Sequence, residues 1–429
     1  MKQVRLGIAG LGTVAQGVLS IIATNGDKIR ARSGVELKVT RVASRTLRPE
    51  VDLLGADFSQ DLSDLIADDV DIVLELIGGE EVAKNLIETA LDADKPVVTA
   101  NKAVIASFGN ELLTSNANVP LKFEAAVAGA IPIIQAIQDS LICNDFQQVV
   151  GIINGTCNYI LTAMEELDQP FATALNNAQE LGYAEADPTF DIEGVDAAHK
   201  LTILAGLAFD TPFELDHVYV EGITKITAQD IEYAAELGYR IKHVGIAKLA
   251  GDGVDKGVEA RVHPALIPSN ALLANVNDVA NAVVVRSDAA GQTLFSGPGA
   301  GGMATASSVL GDVVALARSE ARVSSDSRTK TRYIDIGEVV CSNYLRIPVR
   351  DEPGVFAQVA NTMSEHDISI EAAIQKEPIE GSAFVDIVIV THAITESVME
   401  RAVATLREKL GEREASQGDI SRIRIETLD

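Results

Sequence analysis

The 429-residue chain contains no tryptophan and only three cysteines, Cys143, Cys157 and Cys341. Cysteines this few and this far apart do not supply a disulfide framework or a zinc site, and a reducing cytoplasm is their natural setting. Basic residues are scarce as well. The 35 lysines and arginines face 62 aspartates and glutamates, a net charge of −27. This charge argues against a nucleic-acid partner, because phosphates require a basic face.

Long apolar runs are also missing from the sequence. No stretch is apolar for the roughly eighteen residues that a membrane span needs, and a strand that begins at Val4 leaves no room for a signal peptide. The rest of the composition, 47% hydrophobic and 23% charged residues, is ordinary for a soluble globular protein. At this length we expect two or three domains.

A glycine-rich motif follows the short apolar strand from Val4 to Ala9. It reads Gly10-Leu11-Gly12-Thr13-Val14-Ala15, the dinucleotide fingerprint G-x-G-x-x-G/A with alanine at its third position. Taken alone the motif is weak, since a purely structural turn is about as frequent. Here it follows a strand and opens a helix that we expect to reach about Ala23. This context favours a pyrophosphate site at a helix N-terminus.

The end of the second predicted strand, Glu36 to Ala43, bears on the choice of cofactor. An acidic residue at this point would accept the ribose 2′-hydroxyl and select NAD. The strand is followed instead by Ser44, Arg45 and Arg48, and an arginine there can pair with a 2′-phosphate. We therefore favour NADP, with NAD as the alternative. A solvated loop arginine is the competing interpretation.

Two further strands, Val70 to Leu76 and Pro96 to Thr99, alternate with helices and indicate a doubly wound parallel sheet of Rossmann type. Ligands of such sheets lie at the carboxyl ends of the strands. Because the sequence around Lys102 is nearly apolar, a site role is favoured over a surface lysine. The candidates at these strand ends are Ile77, Thr99, Asn101 and Lys102.

Glu124 lies in what we expect to be a fifth strand, Leu121 to Val127, with alanines after it. A lone glutamate in an apolar strand must be paired, protonated or bound to a cation. A buried salt bridge is the alternative to a functional role.

From Phe146 onward the pattern mixes strands and helices and predicts an α+β domain. Its long last helix, Met303 to Arg318, is expected to pack back on the nucleotide domain. The polar segment 321–342 is typical of a linker. After it, the order strand-helix-strand-strand-helix-strand predicts a ferredoxin-like domain. The predicted domains are 1–130, 131–320 and 343–429.

The stretch from Gly182 to Lys200 concentrates carboxylates: Glu185, Asp187, Asp191, Glu193 and Asp196. Asp196 and Lys200 are four residues apart in a predicted helix, and therefore on one face. They are either a surface ion pair or a proton donor beside the carboxylate that orients it.

Together these motifs resemble the signature of the homoserine dehydrogenases, and they run in order over nearly the whole of the first 320 residues. The C-terminal domain resembles the regulatory ACT domain, with the loop Asp351–Gly354 before its first helix. Cys157 stands where threonine is common, and we do not assign it as a nucleophile. The supporting motifs are Gly10–Val14, Thr99–Lys102, Phe123–Ala125, Ile153–Thr156 and Gly299–Gly302.

The resemblance implies the NAD(P)H-dependent, reversible reduction of L-aspartate 4-semialdehyde to L-homoserine, on the route to threonine, methionine and isoleucine. Lys200 would protonate the carbonyl oxygen, and Lys102 would be a second ammonium near the substrate and the nicotinamide. Glu185 and Asp196 would hold the substrate amino group. The ACT domain would bind threonine as a feedback effector, and the 131–320 domain would form a homodimer or homotetramer.

Ligand contacts are implied by the same resemblance. Glu124 would bind a monovalent cation, expected to be Na⁺, with the backbone carbonyls of Val127, Gly129 and Ile131. The residues against the cofactor would be Gly10, Leu11, Gly12, Thr13, Val14, Arg45, Ile77, Thr99, Lys102, Gly182, Glu185 and Gly301.

The chemistry suits these residue types independently of the family. Hydride arriving at an aldehyde carbon builds negative charge on oxygen, which an ammonium stabilises and protonates. The roles of Asp187 and Asp191 stay open. A turn-capping role is favoured for Asp187; the alternatives are that Asp191 orients Lys200 or that both carboxylates are solvated. His199 lies about 100° around the helix from Lys200 and is expected to be structural or on the surface.

Two other functions remain as alternatives to this one. The first is a non-catalytic sensor of a nucleotide and an amino acid, against which the joint presence of Lys102, Glu185, Asp196 and Lys200 argues. The second is a related dehydrogenase of another small amino or hydroxy acid.

Overall fold

The computed structural model describes residues 2–115, 118–251, 256–318, 331–376, 384–411 and 419–427. These residues form two compact units, each built from three segments of the chain. The first unit takes its described residues from 1–153, 198–218 and 280–332, and the second from 154–197, 219–279 and 333–429. Part of the predicted linker, 321–330, lies outside the described residues.

The strands of the described residues are, in chain order, β1 (Lys2–Ala9), β2 (Val35–Ala43), β3 (Asp57–Ser59), β4 (Ile72–Glu75), β5 (Val97–Thr99), β6 (Leu121–Lys122), β7 (Phe146–Ile152), β8 (Tyr219–Val220), β9 (Tyr239–Ala250), β10 (Gly257–Pro268), β11 (Ala280–Ser287), β12 (Gly291–Pro298), β13 (Arg332–Tyr333), β14 (Val340–Arg350), β15 (Ile370–Gln375), β16 (Phe384–Thr391), β17 (Ile394–Thr395) and β18 (Ser421–Ile425).

The α-helices of the same residues are α1 (Thr13–Ser33), α2 (Glu81–Asp92), α3 (Lys102–Ser115), α4 (Ile133–Gln135, continued by a π-helical turn, Ala136–Ser140), α5 (Gly155–Glu166), α6 (Phe171–Glu180), α7 (Thr189–Ile192), α8 (Val195–Phe209), α9 (Ala228–Glu236), α10 (Gly302–Arg318), α11 (Val355–Glu365) and α12 (Glu396–Gly411).

The first unit contains the predicted doubly wound sheet. Its strands lie in the order β3-β2-β1-β4-β5-β6 and all neighbours run parallel. This is the order that places a dinucleotide at the carboxyl ends of the strands. The prediction missed β3, a three-residue edge strand too short to show a periodic pattern. A second, antiparallel sheet in this unit pairs β11 with β7 and β12.

Helix α1 is ten residues longer than predicted, and the prediction that it ends at Ala23 is wrong. Thr24 and Gly26 have low helix propensity, but the Thr24 hydroxyl donates to the Ser20 carbonyl and the helix continues. It ends at Gly34, whose φ of 75° is left-handed and whose N–H donates to the Arg30 carbonyl.

The predicted fifth strand is also wrong beyond Lys122. Residues Glu124–Ala126 form a 3₁₀ turn rather than a strand. The Glu124 N–H donates to the Asp312 carboxylate at 2.8 Å, and the Glu124 carboxylate accepts the N–H groups of Ile134 and Gln135 at 2.9 and 2.6 Å. These bonds replace the ladder bonds that a continuing strand would make.

Helix α10 packs in the same hydrophobic core as α1 and the parallel sheet, through Ala306, Val309 and Val313. The contact between the two helices is close at Gly17. A Cβ at that position would lie 2.6 Å from the Gly302 carbonyl oxygen and 2.9 Å from the Ala306 Cβ. Gly17 is therefore required by helix packing.

The second unit contains the predicted ferredoxin-like fold. Strands β18-β14-β16-β15 form an antiparallel sheet, and α11 and α12 cover it in one core with Val359, Met363 and Leu406. Strand β18 also pairs in parallel with β10, through Ala265–Arg424 and Leu266–Ile425, and β10 forms a long antiparallel pair with β9. Within the described residues, every helix is too short or too polar to cross a membrane.

We predict opposite effects from two glycine substitutions in α1. Gly17→Ala should lower the free energy of unfolding by about 1–3 kcal/mol, because the new methyl meets the α10 backbone. Gly26→Ala is the matched control, since nothing among the described residues lies within 4 Å of its Cβ. It should raise the free energy of unfolding by about 0.5–1 kcal/mol. Chemical denaturation measures both, and equal effects would contradict the packing role of Gly17.

Candidate active site

The glycine turn after β1 has the geometry of an anion site. Gly10 has a φ of 96°, and a Cβ there would lie 2.7 Å from the Leu76 carbonyl oxygen. Gly12 is the N-cap of α1, and no side chain caps the helix. Among the described residues, nothing lies within 4 Å of where its Cβ would be. The first amides of α1, from Thr13 and Val14, are thus suited to bind a phosphate.

A buried glutamate that the sequence analysis did not select organises the neighbouring strand ends. Glu75 is the last residue of β4 and is fully buried. Its carboxylate accepts the N–H of Ile77 at 2.9 Å and the hydroxyl of Thr99. Thr99 Oγ1 in turn accepts the N–H of Asn101 at 2.9 Å. The signal that could have found Glu75 is the one used for Glu124, a lone carboxylate in an apolar strand.

Asn101 extends this network to the loop after β4. Its amide nitrogen donates to the Gly79 carbonyl at 2.7 Å, and its oxygen accepts the N–H of Val104 in α3. Lys102, the first residue of α3, is half-buried at the end of β5. Glu75, Thr99 and Asn101 together therefore fix the residues that present Lys102.

The other predicted cofactor residues of this unit differ in their exposure. Arg45 is exposed in the loop after β2, and its carbonyl accepts the Gln60 side-chain amide at 3.0 Å. Gly301 has a φ of 112° directly before α10. Leu11 is buried and contributes to the core rather than to an open surface.

Lys200 belongs to the first unit and lies in α8. Its Nζ donates to the carbonyl oxygen of Ile153 at 2.7 Å, at the end of β7. The side chain is partly buried. The Ile153 carbonyl is thus one acceptor that fixes the position of the ammonium group.

In the second unit, one amide holds two carboxylates. Asn154 Nδ2 donates to Asp191 Oδ1 and to Asp196 Oδ2, each at 2.8 Å. Its Oδ1 accepts the N–H of Cys157 and caps α5. Thr156 Oγ1 lies 3.3 Å from Asp191 Oδ2 and donates to the Tyr183 carbonyl at 2.7 Å. Asp196 is only 6% exposed. The sequence analysis quoted the Asn154-Gly155-Thr156 motif without giving Asn154 this role.

The turn between α6 and α7 carries the remaining predicted residues. Glu185 is exposed, and Gly182 has a left-handed φ of 75°. Asp187 accepts both the N–H and the hydroxyl of Thr189, and these bonds hold the pKa of its carboxyl below the usual value. Its geometry is that of a turn cap.

Cys157 and His199 are both buried. The Cys157 thiol donates to the Asp191 carbonyl at 3.2 Å, which is a structural contact.

The predicted cation site lies around Glu124, which is 5% exposed. Burial raises the pKa of Glu124 to about 7 and that of the adjacent Asp312 to about 6. Ala128 and Gly129 both have left-handed φ values in the loop that follows. Among the described residues, no three His, Cys, Asp or Glu side chains cluster around a metal position. One carboxylate and backbone carbonyls fit a hard monovalent cation in charge and donor type.

Comparisons with known proteins bear on the family and fold of the chain. The family model described as homoserine dehydrogenase matches residues 132–314, that of its NAD-binding domain matches 10–122, and that of the ACT domain matches 343–411. A homoserine dehydrogenase of Pseudomonas aeruginosa is 45% identical over 442 residues and is covered, like this chain, to 100%. The chain belongs to the homoserine dehydrogenase family.

Other homoserine dehydrogenases show the same relationship. That of Neisseria gonorrhoeae is 42% identical, with 100% of both chains covered. The crystal structure of the Thiobacillus denitrificans enzyme superimposes with a TM-score of 0.92 at 42% identity, over 100% of this chain and 99% of the other. A hyperthermophilic archaeal homoserine dehydrogenase in complex with NADPH matches with a TM-score of 0.61 at 26% identity, over 75% of this chain and all of its own.

These findings confirm the family, the Rossmann-type and ACT folds, and an NAD(P)-dependent oxidoreductase activity. The roles of individual site residues and the domain limits 1–130, 131–320 and 343–429 stay predictions.

We predict that Glu75 makes the stability of the protein depend on pH. Burial raises the pKa of Glu75 from 4.5 to about 7. Between these values the folded protein retains a proton that the unfolded chain releases, so folding loses stability as pH rises through this window. Glu75→Gln removes this loss. Its stability relative to the parent should rise by about 1–3 kcal/mol between pH 5 and pH 8.

Chemical denaturation at several pH values measures the difference. Glu50→Gln, at an exposed position, is the control and should give a difference that does not change with pH. A pH-independent difference for Glu75→Gln would contradict the prediction.

Proposed function

We propose that the chain catalyses the reversible reduction of L-aspartate 4-semialdehyde to L-homoserine with NADPH. The observation that carries the proposal is that Asn154 holds two carboxylates, that of Asp191 in α7 and that of Asp196 in the first turn of α8, the helix that bears Lys200. Asn154 fixes the position of both carboxylates without adding a charge of its own. Carboxylates are the acceptors that the ammonium group of an α-amino acid substrate needs. We therefore infer that Asp196, together with Glu185, binds this group.

The cofactor, when bound, supplies the hydride. The chain's own residues have three tasks around that step. The uncapped N-terminus of α1 binds the pyrophosphate through its amides. Lys102, presented by the Glu75–Thr99–Asn101 network, places a positive charge near the substrate and the nicotinamide.

Lys200 donates the proton to the carbonyl oxygen as negative charge builds there. Its Nζ is fixed by the Ile153 carbonyl, which orients the ammonium at little cost in conformational entropy during the reaction. In the reverse direction the same amine accepts the proton of the homoserine hydroxyl.

The finer features of the proposal follow the family resemblance. Na⁺ is the cation that Glu124 and the loop carbonyls of Val127, Gly129 and Ile131 would hold, and its role is structural. The ACT domain would bind threonine and slow the reaction. The enzyme would act as a homodimer or homotetramer in the cytoplasm, in the synthesis of threonine, methionine and isoleucine.

One assay tests the function and the role of Lys200. The wild-type protein should oxidise NADPH when aspartate semialdehyde is added, and threonine should slow it. Lys200→Ala should lower kcat by about 10²–10⁴-fold, because the proton donor is lost. Its NADPH affinity, read from nucleotide fluorescence in a chain without tryptophan, should be unchanged.

Lys248→Ala, at an exposed position in β9, is the matched control and should keep full activity. Full activity of Lys200→Ala would contradict the catalytic assignment. A wild-type protein that binds NADPH but does not turn over would support the sensor alternative. Turnover only with another amino or hydroxy acid would identify a related dehydrogenase.

The preference for NADP is tested at the loop after β2. We expect Arg45→Ala to raise the KM for NADPH about tenfold or more, since a charge-assisted bond to the 2′-phosphate is lost. The KM for NADH should not change. Arg48→Ala, three residues along the same exposed loop, is the control. An equal change for both cofactors in Arg45→Ala would show that Arg45 does not select the phosphate.

A further inference from the structure

A buried arginine of the ACT domain reaches beyond its own sheet. Arg424 lies in β18 and is 4% exposed. It donates to both carboxylate oxygens of Glu396, at 3.0 and 2.8 Å, and Glu396 is the fully buried first residue of α12. Its third bond, at 2.8 Å, goes to Oε2 of Glu221. Arg424 therefore joins a helix of the ACT fold to residues that precede β9 in the catalytic part.

Glu221 is held by both its backbone and its side chain, although the side chain is partly exposed. We call residues 219–224 the Glu221 segment. The Glu221 N–H donates to the Val262 carbonyl in β10 at 2.8 Å, and its carboxylate also accepts the hydroxyl of Tyr219 at 3.0 Å. The Tyr219 ring lies 4.7 Å from the Arg424 guanidinium, as in a cation–π contact.

His243 connects the same residue to the start of α8. Burial lowers the pKa of His243 to about 4, so its ring is neutral, and Nε2 donates to the Glu221 carbonyl at 3.0 Å. The ring packs against Gly194, whose φ is 87° and whose added Cβ would lie 3.2 Å from His243 Nε2. Gly194 is the residue directly before α8.

The C-terminal end of the Glu221 segment is hydrogen-bonded to the turn that ends at Gly194. The Ile223 N–H donates to the Ile192 carbonyl at 2.9 Å, and the Thr224 hydroxyl donates to Glu193 Oε1 at 3.2 Å. Gly222 packs so closely on the Ile192 carbonyl that a Cβ does not fit. This turn lies between Asp191 and Asp196, the two carboxylates that Asn154 holds.

We propose that Arg424 is a positioning residue for Asp196, which binds the substrate in the proposed function, and for Asp191, which shares Asn154 with it. Through Glu221 and His243 it fixes the turn 192–194, and with it Asp191 and Asp196. Separating a buried guanidinium from its carboxylates is costly, so a shift of β18 or α12 favours a matching shift of the Glu221 segment. The geometry thus gives the ACT domain a route to substrate binding, and this inference rests on the proposed function of the carboxylates.

The test replaces Arg424 by lysine, which keeps the charge but cannot bind Glu396 and Glu221 together. Arg424→Lys should raise the KM for aspartate semialdehyde about fivefold or more, with kcat and the KM for NADPH changed less than about twofold. Hydrogen exchange of the amides of residues 192–197 should become about tenfold faster, because the turn opens more often.

Arg346→Lys is the matched control. Arg346 is another arginine of the ACT sheet with a buried partner, Asp230, which it contacts at 2.7 Å and which caps α9. It also contacts Thr227 and Asp386. Arg346→Lys should lower the melting temperature about as much as Arg424→Lys does. It should not change the KM for aspartate semialdehyde or the hydrogen exchange of the amides of residues 192–197.

Glu221→Gln is the second variant, and it decides the question if Arg424→Lys does not fold. This variant leaves the ion pair of Arg424 and Glu396 intact. It should raise the KM for aspartate semialdehyde and speed the hydrogen exchange of the same amides. An unchanged KM and unchanged exchange in the folded variants would overturn the inference. A wild-type protein inactive with aspartate semialdehyde would contradict the proposed function instead, while the exchange of residues 192–197 would still test the positioning role.

Discussion

The buried carboxylate of Asp196 sets the condition that the surrounding residues satisfy. A carboxylate taken out of water is costly unless hydrogen-bond donors replace the solvent. Asn154 supplies such a donor and uses its second amide hydrogen for Asp191. Because its oxygen also caps α5, one side chain connects the start of α5 to Asp191 and to the start of α8. A residue at position 154 without two side-chain donors would remove at least one of these two hydrogen bonds.

Buried carboxylates in the first unit are satisfied by hydrogen-bond donors in the same way. Glu75 accepts the N–H of Ile77, and Glu124 accepts those of Ile134 and Gln135. In each case an acidic side chain satisfies the backbone amides of the segment that follows it. Burial raises the pKa of both carboxyls to about 7. Near neutral pH each carboxyl is therefore close to the midpoint of its titration. An acidic chain with a net charge of −27 thus uses a few buried carboxylates to define loop geometry.

The sequence predicted the structure correctly where the residues that determine it are neighbours in the chain. The strand, glycine turn and helix from Val4 to Val14 follow one another directly, so the dinucleotide fold was predictable. Glu124 shows where such reasoning ends. Its apolar neighbours have the pattern of a strand, yet its N–H is bound by Asp312, 188 residues away. The bonds of Asn154 and Glu75 depend on the tertiary structure in the same way, so the residues were visible but their partners were not.

The pairing of β10 with β18 gives a reason for the buried ion pairs beside it, at positions where apolar side chains could also pack. Only two residue pairs join these strands in parallel, Ala265–Arg424 and Leu266–Ile425, and so short a ladder specifies its register weakly. Buried ion pairs add little to stability but penalise every misaligned state. Arg261 binds Glu426, and Arg424 binds Glu221, each only in this register. A slip of one residue would turn both charges away from their partners. The ionic contacts therefore define the register that lets the last strand of the ACT fold complete the sheet beside β10.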